Sequence, residues 1–164
     1  MANDNIYYLT RKKLGLTREK ASELFDTISV DRLERIVNEK AIPIPYEVLE
    51  MAKKYKAPHL CNDYCTHQCE LGKDRIPEVE MKDLSQIVLE TLAGLNTIKN
   101  YQNRLIEISV DGKISGSELK DFVMIKKELE SISMTVDSLK LWTEQMLSDG
   151  LIDEEAYEKL YDQA

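Results

Sequence analysis

Two long runs of apolar residues spaced three and four apart constrain this chain more than any other feature. The first covers residues 78 to about 109, with Leu84, Val88, Leu92, Leu95, Ile98, Leu105 and Ile108. The second covers residues 116 to about 148, with Phe122, Ile125, Leu129, Ile132, Val136, Leu139 and Met146. This is the period of an amphipathic helix, and at ~1.5 Å per residue each predicted helix is about 45–50 Å long. Such a seam is stable in water only when covered, and pairing the two helices covers part of it. Partner surface is therefore implied, most simply a second copy completing a four-helix core. Thr143, beside Trp142, interrupts the heptad-like spacing. Gly94 sits inside the first run, where it costs about 1 kcal/mol in propensity and points to close helix–helix approach.

The N-terminal part has a different grammar. Thr17 is a predicted N-cap in front of a short run, residues 18–25, with Ala21, Leu24 and Phe25 apolar. A turn follows at residues 26–28. Ser29 then opens a helix with Val30, Leu33, Ile36 and Val37 on one face and Asp31, Arg32, Glu34 and Arg35 on the other. Two short helices joined by about three residues form a helix-turn-helix, which leaves the outer face of the second helix free at the width of a major groove.

These residues resemble the Cro and phage-repressor, or Xre-type, helix-turn-helix family. The matching positions are Leu16 and Thr17, Ile28 and Ser29, Leu33, Ile36, and the polar turn from Asn38 to Pro43. Residues 46–55, with Val48, Leu49 and Ala52 facing inward, look like the family's fourth helix, and residues 6–14 supply the first. The resemblance covers roughly the first third of the chain. Two departures stand out: the turn is one residue longer, with Asp26 and Thr27 where glycine is common, and Glu39 occupies a position usually small or glycine. The resemblance implies sequence-specific binding to double-stranded DNA and repression of transcription in a bacterium, phage or mobile element. Thr17 and Arg18 would engage phosphate, Ser29 would cap the reading helix, Asp31, Arg32 and Arg35 would face base edges, and Lys40 would contact the backbone.

The net charge of −8 argues against a uniformly basic nucleic-acid coat. Residues 1–60 carry +2, however, and the remainder −10. Any DNA contact belongs to the N-terminal part, and such weak charge points to a homodimer or to assisted binding. No apolar run reaches membrane length and residues 1–5 are not a signal peptide, so a cytoplasmic protein is expected.

All three cysteines and both histidines fall within residues 59–69, as His59, Cys61, Cys65, His67 and Cys69. On a helix the cysteines form one stripe, and with a histidine they could hold zinc or support an iron–sulfur cluster. Their spacing matches neither a zinc knuckle nor a common ferredoxin pattern. Packing of three small apolar side chains explains the stripe equally, and a disulfide is the third alternative.

Between the long helices, residues 107–118 echo an EF-hand loop, with Asp111, Gly112, Ile114 and Glu118 in register. Glu107 and Ser109 are poor ligands at the first and third positions. A turn in which Gly112 ends one helix and Ser115 with Glu118 caps the next covers the same residues. Residues 149–153 repeat the device with Ala156 where calcium requires Glu, which favours the structural reading. No catalytic constellation is present: both histidines sit in the Cys segment, and there is no phosphate loop and no nucleophile paired with a base.

The sequence thus predicts an all-α protein and no enzyme. It has a four-to-five-helix helix-turn-helix domain (1–58), a Cys/His-rich junction (59–77), and a coiled-coil-like antiparallel hairpin with a short C-terminal helix (78–164). The rival readings are a protein-contact module on the same fold and a metal- or thiol-sensing regulator.

Overall fold

The structure, a computed structural model, describes residues 5–163; the start of the segment read as lacking a signal peptide lies outside these. Among the described residues there are eight helices and no strand, as the sequence predicts. They are α1 (Ile6–Lys13), α2 (Arg18–Ser22), α3 (Val30–Val37), α4 (Pro45–Lys54), α5 (His59–His67), α6 (Leu84–Ser109), α7 (Leu119–Ser148) and α8 (Glu154–Tyr161). None is long and apolar enough to cross a membrane. The chain forms two compact units, residues 1–78 with 143–164, and residues 79–142.

In the first unit, side-chain caps fix where helices begin. Asn5 accepts the Tyr7 and Tyr8 N–H groups at 3.1 Å, Thr17 accepts Lys20 N–H at 3.2 Å, and Ser29 accepts Arg32 N–H at 3.2 Å. Each cap contributes about 1 kcal/mol. Tyr7, Leu33, Ile36, Met51 and Leu60 are fully buried in one core, which α5 joins through Leu60, Cys61 and Tyr64.

Several predicted core positions lie elsewhere. Leu24, Val30 and Leu49 are exposed; Val48 and Ala52 face inward as expected, joined by Met51 and by Tyr55 at the α4 C-cap. α2 stops at Ser22 rather than at Phe25, because the Leu24 and Phe25 N–H groups bond three residues back, to Ala21 and Ser22. That tightened turn drops Phe25 into the core, edge-on to Tyr55 with ring centroids 5.2 Å apart.

Helix ends follow one scheme. Gly15, Glu39, Lys56 and Gly150 all have positive φ immediately beyond a C-cap. After α3, Glu39 N–H bonds to Ile36 O and Lys40 N–H to Arg35 O, the paired bonds of a Schellman motif. After α4, Lys56 and Ala57 repeat it on Lys53 and Ala52. Two of the four ends therefore hold a side chain in the left-handed region.

In the second unit α6 and α7 pack antiparallel. Their contact seam runs through Ile87, Gly94, Ile98, Leu105 and Ile108 on α6, and through Ile125, Ile132 and Thr135 on α7, all buried or half-buried. The sequence seam differs on both helices, since Leu84, Val88, Leu92 and Leu95 of α6 and Leu129, Val136 and Leu139 of α7 are exposed. A Cβ on Gly94 would sit 2.7 Å from Ile132 Cγ1, so glycine permits the close approach expected there. Arg104 ties the hairpin near its turn through Asp121 at 2.6 Å. In that turn Glu118 accepts the Ser115 N–H at 2.9 Å and Asp111 the Lys113 N–H at 2.9 Å, so both carboxylates serve the turn. Likewise Asp153 caps α8 through Ala156 N–H at 2.7 Å.

The left-handed side chains give a prediction. Replacing Glu39 or Lys56 with glycine should raise stability by about 0.5–1 kcal/mol each, because an L residue there costs about 1–2 kcal/mol before glycine's extra unfolded-state entropy is subtracted. Urea unfolding of the single and double variants checks it; a loss of stability in both would mean the side chains make compensating contacts.

Candidate nucleic-acid interface

α3 presents its apolar face, Leu33, Ile36 and Val37, to the core and its opposite face to solvent. What fixes its orientation is a pair of glutamates on the inward face of α4. Glu47 receives Arg32 in two parallel bonds, Nε to Oε1 and Nη2 to Oε2, both 2.7 Å, and reaches back to the Ile44 N–H at 2.8 Å. Arg32 also donates to the Ile42 carbonyl at 3.0 Å. Glu50 accepts the Asp26 N–H and, at 2.5 Å, the Thr27 hydroxyl, which pins the turn between α2 and α3. Both carboxylates are less than a tenth exposed. The bonds from Arg32, with the Ile44 N–H, hold the Glu47 carboxyl below its ordinary pKa despite burial.

The sequence-predicted contacts are thereby sorted. Arg32 is on the α3 surface but committed to Glu47. Arg18 is paired with Glu34 at 2.7 Å, both side chains being well exposed. Thr17 and Ser29 use an oxygen lone pair in capping, and the Thr17 hydroxyl also donates to the Glu19 carboxylate, which it helps to hold below its ordinary pKa. Asp31, Arg35 and Lys40 are exposed, and no ion pair among the described residues involves them. Sequence reasoning missed Glu47 and Glu50. The available signal was two carboxylates three residues apart on the helix face that also carries Val48 and Met51, where a charge requires a partner.

The cysteine segment is part of this unit. Cys61 and Cys65 are one turn apart on α5, but the helix ends at His67, so Cys69 does not continue the stripe. All three are half-buried free thiols. Burial, with Glu144 and Cys65 nearby, pushes the Cys61 thiol up, away from the thiolate that binds metal. His59 is pushed down by burial and by Lys13. His67 lies 3.4 Å from Asp63 and 3.9 Å from Glu78 rather than among the thiols. Among the described residues no three His, Cys, Asp or Glu side chains are placed to hold a metal ion. The chain after α5 folds back so closely that a Cβ on Gly72 would sit 2.1 Å from the Cys65 carbonyl oxygen.

The acidity is unevenly placed. Residues 143–164 carry −6 and belong to the same unit as α3, whereas residues 79–142, with eight basic and ten acidic side chains, carry only −2. Compared with protein-family models, curated proteins and solved structures, the chain matches none of them.

Glu47→Gln should cost about 1–2 kcal/mol at pH 7, the charge-assisted bonds being discounted for the partial exposure of Arg32. Because the folded carboxyl titrates below its unfolded value of 4.5, this contribution is complete above pH 4.5 and lost as pH falls through the lower folded value. The gap between wild type and variant in urea unfolding should therefore close as pH drops from 5 to 3; a constant gap would place the effect elsewhere.

Gly72→Ala meets backbone rather than a movable side chain, so it should cost about 2–3 kcal/mol. Calorimetry of the full chain measures it, and a neutral result would show that the turn can lift off α5.

Proposed function

We propose that the chain is a sequence-specific DNA-binding transcriptional regulator of the cytoplasm that acts as a homodimer and inserts α3 into the major groove. One observation carries the reading: the outer face of α3 is held open to solvent with Arg35 unpaired among the described residues, on a helix braced from behind through Arg32 and Glu47. Arg35 is the base-reading cation, with Asp31 one turn before it to orient it or to accept from cytosine. Lys40 and the Thr17 and Ser29 hydroxyls serve phosphate. Arg18 joins them by exchanging Glu34 for a phosphate, since an exposed ion pair is worth only about 0–1 kcal/mol. The resemblance to Xre-type regulators supports repression as the outcome.

A second reading, a protein-contact module, is favoured by an exposed apolar cluster beside α3. Ile42, Ile44, Tyr46 and Leu49 are 56–67% exposed, more than a DNA-facing surface needs. The acidic 143–164 segment in the same unit points the same way.

Genomic-fragment selection with the full chain, followed by sequencing, separates the two. The DNA reading expects an enriched motif. On it, Arg35→Ala should cost about 1–3 kcal/mol and flatten one base position. Glu34→Gln, by releasing Arg18, should tighten binding to all sequences and steepen the salt dependence by about one unit. Folded protein that enriches nothing above background would leave the protein-contact reading.

A further inference from the structure

The α6–α7 hairpin has two unlike faces. One side of the seam carries Lys82, Glu90, Ala93, Thr97, Glu128 and Ser131, a polar groove. On the other side Val88 and Leu95 follow the α6 seam residues Ile87 and Gly94 by one, with Leu92 between them, and Val136 follows Thr135 of the α7 seam by one, with Leu129 two turns earlier on the same stripe. Stepping one residue turns a side chain by about 100° about its helix. In an antiparallel pair those equal steps bring both stripes to the same face. These five side chains are 41–59% exposed, and Leu84 and Ile106 extend the stripe along α6.

We infer that this apolar face is the site where a second copy of the chain docks, face to face, closing a four-helix bundle. The inference deepens the homodimer part of the proposed function and does not depend on DNA binding. The area decides first. At about half exposure the seven side chains offer roughly 550 Å² of apolar surface, whereas a standard interface needs about 800 Å² per partner with some 60% of it apolar, or about 480 Å². Shape comes second. A two-helix layer with one apolar face is half of a four-helix bundle, and an identical layer related by a twofold axis is complementary to it without further design. Charge comes third. A strongly basic or acidic partner would need an oppositely charged rim, but residues 79–142 carry only −2, which two copies tolerate.

Sedimentation of the full chain tests this. Wild type should be a dimer at about ten micromolar. Leu92→Glu and Leu129→Glu should each shift the mass to monomer with helicity retained, while Ala93→Glu, on the polar side, should leave the dimer intact. Should a glutamate unfold the hairpin, Leu92→Ala with Leu129→Ala should still weaken dimerisation at least a hundredfold. Isotope-filtered contacts between the Val88 methyls of one copy and α6 or α7 methyls of the other locate the interface. A wild-type monomer up to about a hundred micromolar would overturn the inference and leave the face to another partner. A dimer that survives both glutamates but breaks with Ala93→Glu would move the interface to the opposite face. A wild-type monomer would also remove the homodimer from the proposed function while leaving DNA contact by α3 to the genomic selection, and a failed selection with an intact dimer leaves this inference standing.

Discussion

Two carboxylates on the wrong side of a helix hold the N-terminal unit together. Glu47 and Glu50 sit on the core-facing side of α4, where an ionised group is tolerated only if its lone pairs are matched by donors. The donors come from other elements: Arg32 of α3, the Asp26 N–H and Thr27 hydroxyl of the preceding turn, and the Ile44 N–H at the start of α4 itself. One helix face therefore sets the angle of α3, the path of the chain into it and the path out. This also explains why the turn does without the glycine common in such motifs. A turn clamped by a side chain from α4 is stable with Asp26 and Thr27, and Thr27 supplies a hydroxyl that glycine lacks.

What the sequence revealed and what it hid divide along the distance between partners. The caps at Thr17 and Ser29 were legible because each accepts from an N–H three residues on, so the pairing is complete within one turn. Arg32 and Glu47 are fifteen residues apart and Thr27 and Glu50 twenty-three, and nothing short of the packing of α4 brings them together. Arg32 accordingly read as a surface cation on a recognition helix, although its guanidinium is spent on the fold. Errors of facing have a related origin. Leu24, Val30 and Leu49 lie at helix ends or at the margin of an apolar stripe, where a shift of one residue carries a side chain outside. The cysteine stripe failed for want of a visible helix end: nothing local says that α5 stops at His67, and the reason, Gly72 closing on the Cys65 backbone, comes from further along the chain.

The hairpin shows how a correct period can hide its phase. On α6 the three-and-four spacing fits two adjacent stripes, and hydrophobicity alone selects the one with Val88, Leu92 and Leu95. The helices instead meet along Ile87 and Gly94, while Ile98, Leu105 and Ile108 lie inside as the spacing predicts. A Cβ at position 94 would meet the Ile132 side chain, so the stripe that holds the glycine is the one turned inward and the Val88, Leu92 and Leu95 stripe beside it is left outside. Apolar surplus on one face is the consequence, and it is the property that sets this hairpin apart from a self-sufficient one.

Charge placement bears on how the α3 surface works. Four cations were expected on it, at positions 18, 32, 35 and 40, and two of them are answered by glutamates of the same unit. The two pairs differ in kind. Arg32–Glu47 is bidentate, with Glu47 deeply buried, so opening it leaves a charge stranded in the core at a cost far above what one phosphate returns. Arg18–Glu34 is made between two well-exposed side chains, so a competing phosphate can replace Glu34 at a cost of order 1 kcal/mol or less. The first pair is thus a structural strut and the second an exchangeable contact. On the proposed DNA-binding reading, base recognition falls to Arg35 and its neighbour one turn back, Asp31, because they alone combine exposure, charge and freedom from the scaffold on the outer face of α3. On that reading, so few free cations call for two copies on one DNA molecule, which would link the sparse charge of α3 to the apolar face of the hairpin.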